Sequence, residues 1–243
     1  PNWIINCIAQ TDVDFCQRFP EEARAINVEA VDRISSLILP WPCGLIHLSS
    51  DSVYGNGNPP HKEKADCCPL SIYAQTKLDS EKSATGWKNG RLLLIRTAFY
   101  GINQLVDRGF LNWALEALNG NDQVFGYRDV RFSPISVASL VETMNELIES
   151  PRTGVINVGS RDGCTKYEFL LALKDMLNAK GSLVSVESKS MVRGAIRAPS
   201  AELSTQRLER WLGKAPTCWR EDLQNYIVNL LKADLQKSMV SIQ

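Results

Sequence analysis

The sequence predicts an α/β protein with a doubly wound parallel sheet. Short apolar segments rich in β-branched residues alternate with longer segments of helical periodicity, which favours strands joined by crossover helices. Several of the apolar segments also turn polar abruptly at their carboxyl ends, where open α/β sheets place a ligand crevice. With 243 residues, 44% of them hydrophobic, the chain can hold one large domain or a sheet domain with a smaller one attached.

The first half of the chain shows the alternation most clearly. Apolar residues between 21 and 39 recur at three- and four-residue spacings, which predicts an amphipathic helix that Pro40 and Pro42 end. In chain order, this half is predicted to contain strands over 3–9, 43–50 and 91–99 and helices over 21–39 and around 73–77.

The second half is less regular. Thr165 and Glu168 stand at capping-box spacing, where each side chain can satisfy an orphan amide of the first helical turn. A change in composition after about residue 102 indicates a smaller lobe. We therefore divide the chain into 1–102 and 103–243, with some later segments returning to the sheet. Helices are predicted over 109–120, 137–150, 165–177 and 220–235, and a strand over 153–160.

Charge and cysteine usage exclude several classes of protein. Lys plus Arg and Asp plus Glu both total 27, so no net field attracts nucleic acid or an anionic membrane. No apolar run approaches the roughly 20 residues of a membrane span, and no signal peptide is recognisable. Seven cysteines without a repeated CxxC spacing, with only two histidines, predict a reduced, cytoplasmic chain without a metal site, although Cys67 and Cys68 are adjacent.

Tyr73 and Lys77 form the first candidate for chemistry. On a helix, residues four apart lie on one face, one turn from each other. A tyrosine phenol, with an ordinary pKa near 10, becomes a useful acid–base when a neighbouring ammonium lowers that pKa. The same spacing also occurs on ordinary solvated helices, and that interpretation stays open for the pair alone.

The ends of the predicted strands strengthen the case. Ser50 ends the second strand 23 residues before Tyr73, where its hydroxyl could hold a substrate carbonyl oxygen or could simply cap the next turn. After the first strand come small or polar residues that let a dinucleotide approach the backbone, and the third strand ends in polar and aromatic groups. These residues are Ala9, Gln10 and Thr11 after the first strand, and Thr97, Phe99 and Tyr100 at the third.

An ordered series of motifs carries a resemblance over nearly the whole chain. NCIAQTDVD, HLSSDSVYG and PLSIYAQTKLDSEK are followed by LLIRTAFYG, RFSPISVASL, GVINVGSRDGCTKYEF and RAPSAELSTQRLERWLG. The series resembles the extended short-chain dehydrogenase/reductase superfamily and, within it, the dTDP-4-dehydrorhamnose reductase-like, sugar-nucleotide-binding family.

The resemblance implies a Rossmann-like fold and an NAD(P)H-dependent reduction of the 4-keto group of a nucleotide-linked deoxysugar. Ser50, Tyr73 and Lys77 would be the catalytic triad. Tyr73 would donate the proton, Lys77 would lower its pKa and hold the cofactor ribose, and Ser50 would orient the carbonyl. NADPH or NADH would place its nicotinamide half against Ala9, Gln10 and Thr11. Substrate contacts would fall on Thr11, Val13, Ser50, Asp51, Phe99 and, at the nucleotide diphosphate, Arg131.

The chain also departs from the family pattern. Ser52 replaces a tyrosine, Phe99 replaces the usual tryptophan, and Ser52 cannot serve as the glutamate that related dehydratases carry there. The glycine-rich GxxGxxG phosphate loop should lie roughly 55 residues upstream of the first strand, on the family pattern. None of the 15 glycines supplies it. We expect a fragment lacking the first βαβ units, which by itself binds dinucleotide poorly or not at all.

Two alternatives remain beside the reductase. A sugar-nucleotide epimerase would use the same triad and return the hydride to its substrate. A regulatory subunit resembling that of methionine adenosyltransferase would be a binding protein without turnover, which fits the missing phosphate loop. The presence of Ser50, Tyr73 and Lys77 together favours an enzyme with a nucleotide-sugar substrate. A homodimer is an open expectation.

Overall fold

The computed structural model describes residues 1–103, 109–190, 194–196 and 198–240, without the side chains of 190 and 234–240. Its strands are β1 (Trp3–Asn6), β2 (Gly44–Leu48), β3 (Leu92–Tyr100), β4 (Gln123–Tyr127), β5 (Arg131–Phe132), β6 (Pro134–Ser136), β7 (Gly154–Val158), β8 (Cys164–Thr165), β9 (Ser182–Val186) and β10 (Ser200–Ala201). Its α-helices are α1 (Val13–Arg18), α2 (Pro20–Arg24), α3 (Ala30–Ser35), α4 (Ile72–Ala84), α5 (Phe110–Asn119), α6 (Val137–Glu149), α7 (Lys166–Leu177), α8 (Gln206–Leu212) and α9 (Trp219–Val240). A π-helical segment (Ala25–Glu29) joins α2 to α3, and 3₁₀ turns cover Asp51–Tyr54 and Ser188–Ser190.

The main sheet is parallel throughout. β1 pairs with β2, β2 with β3, and β3 with β7 along most of its length and with β6 at its carboxyl end. The register places Asn6 opposite His47 and Phe99 opposite Ile135. This confirms the predicted doubly wound parallel sheet, because helices connect the parallel strands and cover both faces.

Both faces of β2 and β3 are buried, and each face uses alternate residues. On one face Leu45 and Leu94 pack towards α3 and α4, and the Leu45 cluster also contains Trp87. On the other face Ile46 and Leu93 pack against apolar side chains of α6, α8 and β7. This two-residue alternation, with apolar side chains on both faces, explains why the strands read as continuous hydrophobic runs in the sequence.

A second apolar core lies in the later part of the chain. Phe169 of α7 is fully buried there, with aromatic neighbours from β3, α5, β5 and α9. Two small sheets border it, β4 with β9 and β10–β5–β8. Meanwhile β6 and β7 pair with β3 of the main sheet. The division at residue 102 stays a prediction.

The long elements lie where the sequence predicts them, with shifted ends. The helix predicted over 21–39 begins at Pro20, contains the π-helical segment and ends at Ser35. The Asn89 side chain holds the backbone that follows the helix: it donates to the Leu37 carbonyl and accepts from the Leu39 amide. The capping box is confirmed: Thr165 Oγ1 accepts from the Glu168 amide at 3.0 Å, and Glu168 Oε2 accepts from the Thr165 amide at 2.7 Å.

Candidate active site

Ser50 lies at the carboxyl edge of the sheet, directly after β2. It is 6% exposed and caps the 3₁₀ turn by accepting a hydrogen bond from the Ser52 amide at 3.2 Å. Its Oγ also lies 3.1 Å from Asp51 Oδ1 and 2.8 Å from Ser52 Oγ. The capping interpretation of this serine is therefore confirmed, and its contact with a substrate carbonyl stays a prediction.

Helix α4 brings Tyr73 and Lys77 to the same edge. Ser71 caps the helix by accepting from the Ala74 amide, which starts the first turn just before Tyr73. Tyr73 is partly buried, and the Ser50 side chain acts to lower the pKa of its phenol. Lys77 is 2% exposed and donates from Nζ to the Leu48 carbonyl at 2.7 Å. A solvated helix face is therefore the wrong interpretation of this spacing.

The electrostatics of Tyr73 differ from the expectation. Burial raises its pKa to about 12; the Ser50 hydrogen bond works against this, and the Asp51 carboxylate adds to it. We expected Lys77 to lower this pKa, but burial outweighs the neighbouring charge, and the Lys77 ammonium donates to the Leu48 carbonyl. Burial also lowers the pKa of Lys77 to about 8, with Glu81 and the Cys7 thiol opposing that change. At neutral pH the phenol therefore keeps its proton, which is the form of a proton donor.

Asp51 is the carboxylate of the site, and it has a partner from the second core. Burial raises its pKa to about 6, and the ammonium of Lys166 counteracts that rise. Lys166 begins α7, with Nζ 3.2 Å from the ring centre of Phe132 and 4.5 Å from that of Phe110. Our sequence reasoning missed Lys166, whose one signal was its place in the GCTKYEF block.

The loop after β1 is tied to α4 by a second residue that sequence reasoning missed. Asn27, fully buried in the π-helical segment, accepts from the Gln10 amide at 2.7 Å and donates to the Gln10 carbonyl at 3.2 Å. The same side-chain amide donates to Thr76 Oγ1 at 2.9 Å, next to Lys77. Ala9, Gln10 and Thr11 are thereby held beside α4. The signal in the sequence was a polar residue inside an amphipathic helix.

The neutral side chain of His47 is linked through Ser80 to the backbone of Lys77. His47 is fully buried, and its Nδ1 lies 3.0 Å from the Asn6 amide nitrogen. Since that amide can only donate, Nδ1 accepts, and Nε2 carries the proton that it donates to Ser80 Oγ at 2.9 Å. Ser80 in turn donates to the Lys77 carbonyl. Burial, with the nearby Lys77 charge, lowers the pKa of His47 to about 3, so the ring is neutral.

A buried ion pair anchors the other side of α4. Glu81 accepts two hydrogen bonds from Arg96 of β3, at 2.9 Å from Nε and 2.7 Å from Nη2. Ser49, the residue before Ser50, donates to the same carboxylate. The pair therefore connects α4, the end of β2 and β3 directly behind the site.

The remaining predicted contacts are placed differently. Phe99 lies at the carboxyl end of β3 and is 51% exposed, and Val13 begins α1 and is partly buried. Arg131 of β5 already pairs with Glu202 at 2.8 Å and Glu168 at 3.7 Å. Its role towards a diphosphate stays a prediction, and one that these two carboxylates disfavour.

Metal and membrane chemistry find no support in the described ranges. No group of three or more His, Cys, Asp or Glu side chains within them is arranged to hold a metal ion. None of the helices described there is long and apolar enough to cross a bilayer. All seven cysteines are free thiols, including the adjacent Cys67 and Cys68.

The parallel sheet with serine, tyrosine and lysine at its carboxyl edge defines a Rossmann-like α/β protein with a candidate acid–base site. The chain belongs to the RmlD substrate binding domain family, whose model matches residues 1–232. Arg197, in the last motif block, lies outside the described residues.

Two curated relatives and one solved structure illustrate the similarity. Methionine adenosyltransferase 2 subunit beta of Pongo abelii is 26% identical over 216 residues, covering 86% of this chain; the chain spans 64% of that relative's length. The probable low-salt glycan biosynthesis reductase Agl14 of Haloferax volcanii is 27% identical over 228 residues. The match covers 90% of this chain and 75% of the length of that reductase. The dTDP-4-dehydrorhamnose reductase of Bacillus anthracis, solved in complex with NADP, superposes with a TM-score of 0.85 at 23% identity, covering 94% of this chain and 81% of that one.

Proposed function

We propose that this chain carries the catalytic residues of a cytoplasmic NAD(P)H-dependent reductase that acts on the 4-keto group of a nucleotide-linked deoxysugar. The observation that carries the proposal is that Ser50 and Tyr73 meet at the sheet edge, where Ser50 acts on the phenol pKa, with Lys77 buried one helical turn away. Two hydroxyl groups that converge on one point suit a substrate carbonyl oxygen. The archaeal reductase among the relatives supports the same class of reaction.

The residues have distinct tasks in this mechanism. Tyr73, with its pKa near 12, holds its proton at neutral pH and donates it to the carbonyl oxygen as the oxygen gains negative charge. Ser50 donates a hydrogen bond to the same oxygen and so orients it. Asp51, at the same edge, would accept from a sugar hydroxyl. Phe99, exposed at the end of β3, would pack against the apolar face of a sugar ring.

The chain fits half of a dinucleotide cofactor. The Lys77 ammonium has three donors, of which the Leu48 carbonyl takes one, so it can also hold ribose hydroxyls. Ala9, Gln10 and Thr11 form a loop that Asn27 holds at the same edge. When bound, the nicotinamide supplies the hydride. A glycine-rich phosphate loop is not found in this sequence, so the pyrophosphate half would need other residues.

A second candidate is a non-catalytic regulatory subunit. It is favoured by the similarity to methionine adenosyltransferase 2 subunit beta, at 26% identity over 86% of this chain. The epimerase alternative uses the same three side chains, and the geometry does not separate it from a reductase.

One experiment distinguishes the three candidates. The full-length natural protein is incubated with NADPH or NADH and a dTDP-4-keto-6-deoxyhexose, while cofactor absorbance and sugar product are both followed. A reductase oxidises one cofactor for each sugar reduced. Sugar conversion without net cofactor oxidation would identify an epimerase. Absence of conversion, together with a changed activity of an added methionine adenosyltransferase, would overturn the reductase proposal in favour of the regulatory subunit.

A further inference from the structure

Ser52 makes two contacts with the hydroxyl of Ser50. Its backbone amide donates to Ser50 Oγ at 3.2 Å, and its own hydroxyl lies 2.8 Å from the same atom. The third close neighbour of Ser50 Oγ is Asp51 Oδ1, at 3.1 Å. All three groups belong to one capped 3₁₀ turn, so the direction of the Ser50 proton depends on the geometry of that turn.

The donor at the 2.8 Å contact follows from what each group can do. A serine hydroxyl has one hydrogen to donate and two lone pairs to accept with. A hydrogen bond to an ionised carboxylate is about twice as strong as one to a neutral group, so the Ser50 hydrogen points to Asp51. Ser52 must then donate its hydroxyl hydrogen to Ser50. Together with the Ser52 amide, this fills both lone pairs of the Ser50 oxygen.

We propose that Ser52 is a positioning residue that makes Ser50 a pure hydrogen-bond donor, directed at Asp51 in the ligand-free protein. Because its lone pairs are filled, Ser50 has no acceptor site for the hydrogen of the Tyr73 phenol. The phenol hydrogen therefore stays available for a substrate. That last consequence rests on the proposed function; the hydrogen-bond order itself does not.

The charges around Asp51 agree with this order. The Ser50 hydroxyl and the Ser52 amide both lower the pKa of Asp51 against the effect of burial. Within the part of the chain that the structure describes, Asp51 also interacts with the Lys166 ammonium from α7 and the Tyr73 phenol from α4. A donor chain from Ser52 through Ser50 to the carboxylate is cooperative, since each bond polarises the next. Removal of the first hydroxyl should therefore weaken the last bond.

The test is the titration of Asp51 in the ligand-free protein, followed by the ¹³C resonance of its carboxyl carbon and assigned by its loss in Asp51→Asn. The wild type should titrate near 6. We expect Ser52→Ala to shift the midpoint upwards and Ser52→Thr, which restores a hydroxyl, to return it. As a control, Ser36→Ala, which changes an exposed serine directly after α3, should leave the Asp51 midpoint unchanged.

A double variant separates positioning from a general structural effect. If Ser52 acts through Ser50, Ser50→Ala and Ser50→Ala/Ser52→Ala should have the same Asp51 midpoint, above that of the wild type. An unchanged midpoint in Ser52→Ala would overturn the proposal. So would an equal upward shift from Ser52→Ala in the Ser50→Ala background. The titration needs no turnover, so failure of the proposed function and failure of this inference give different results.

Discussion

Replacement of Arg96 by methionine tests the buried anchor behind the site. Arg96 and Glu81 have side chains only 7% and 6% exposed and share two hydrogen bonds, at 2.9 and 2.7 Å. Methionine keeps much of the apolar stem but leaves the Glu81 carboxylate buried without its cation. It also removes the guanidinium that lies 4.8 Å from the ring centre of Tyr54. Breaking a buried pair in this way costs about 3–5 kcal/mol.

The structure supplies a matched control for this variant. Arg128 and Glu187 lie at a similar distance, 2.8 Å, but their side chains are 56% and 57% exposed. Arg128→Met should therefore cost about 0–1 kcal/mol, as exposed pairs do. The double variant Arg96→Met/Glu81→Leu should recover most of the loss, since it removes the stranded carboxylate.

The assay is urea unfolding followed by tryptophan fluorescence, with the free energy of unfolding compared between variants at a constant denaturant slope. A loss of about 3 kcal/mol or more for Arg96→Met, with recovery in the double variant, agrees with the reasoning. A loss below about 1 kcal/mol, equal to that of the exposed control, would refute it.

Two further predictions concern the supports of the loop after β1 and of Lys77. Asn27→Ala removes three hydrogen bonds, so we expect a loss of about 2–3 kcal/mol in the free energy of unfolding. Hydrogen exchange at the Gln10 amide should become faster, because that amide donates to Asn27. Unchanged exchange there would show that Asn27 does not hold the loop. The pKa of His47 is lowered to about 3 in the folded protein and lies near 6.5 when unfolded, so the unfolded chain binds more protons between these values. Stability should therefore fall as pH drops from about 6.5 towards 3, and His47→Gln should flatten that dependence in urea unfolding across this range. An equally steep dependence in the variant would show that other groups cause it.

The sequence predicted what depends on local pattern. The parallel strands and the long helices follow from period and composition, Ser50 from the polar turn at a strand end, and Tyr73 from its spacing to Lys77. The short strands β5, β8 and β10 could not be predicted from the sequence, because two residues show no periodicity. Their pairing depends on partners far along the chain. Helix α1 escaped for the same reason, with only six residues.

The parts of the site that were missed depend on tertiary placement. In the sequence, Asn27 is only a polar residue within a helical pattern. The structure shows that its partner is the backbone of Gln10, which the pattern does not reveal. The direction of the Tyr73 pKa was wrong because spacing shows a neighbouring lysine but not how deeply the phenol is buried. Arg131 looked free for a phosphate because Glu202, its partner, lies 71 positions away.

The central claim is that Tyr73 donates the proton in a reduction. Turnover of the full-length protein with NAD(P)H and a 4-keto nucleotide sugar should be compared between wild type, Tyr73→Phe and a control, Tyr127→Phe, on β4. The account predicts a loss of about 10²–10⁴-fold in kcat for Tyr73→Phe, the usual contribution of a general acid, with the control unchanged. Equal kcat in wild type and Tyr73→Phe would contradict it.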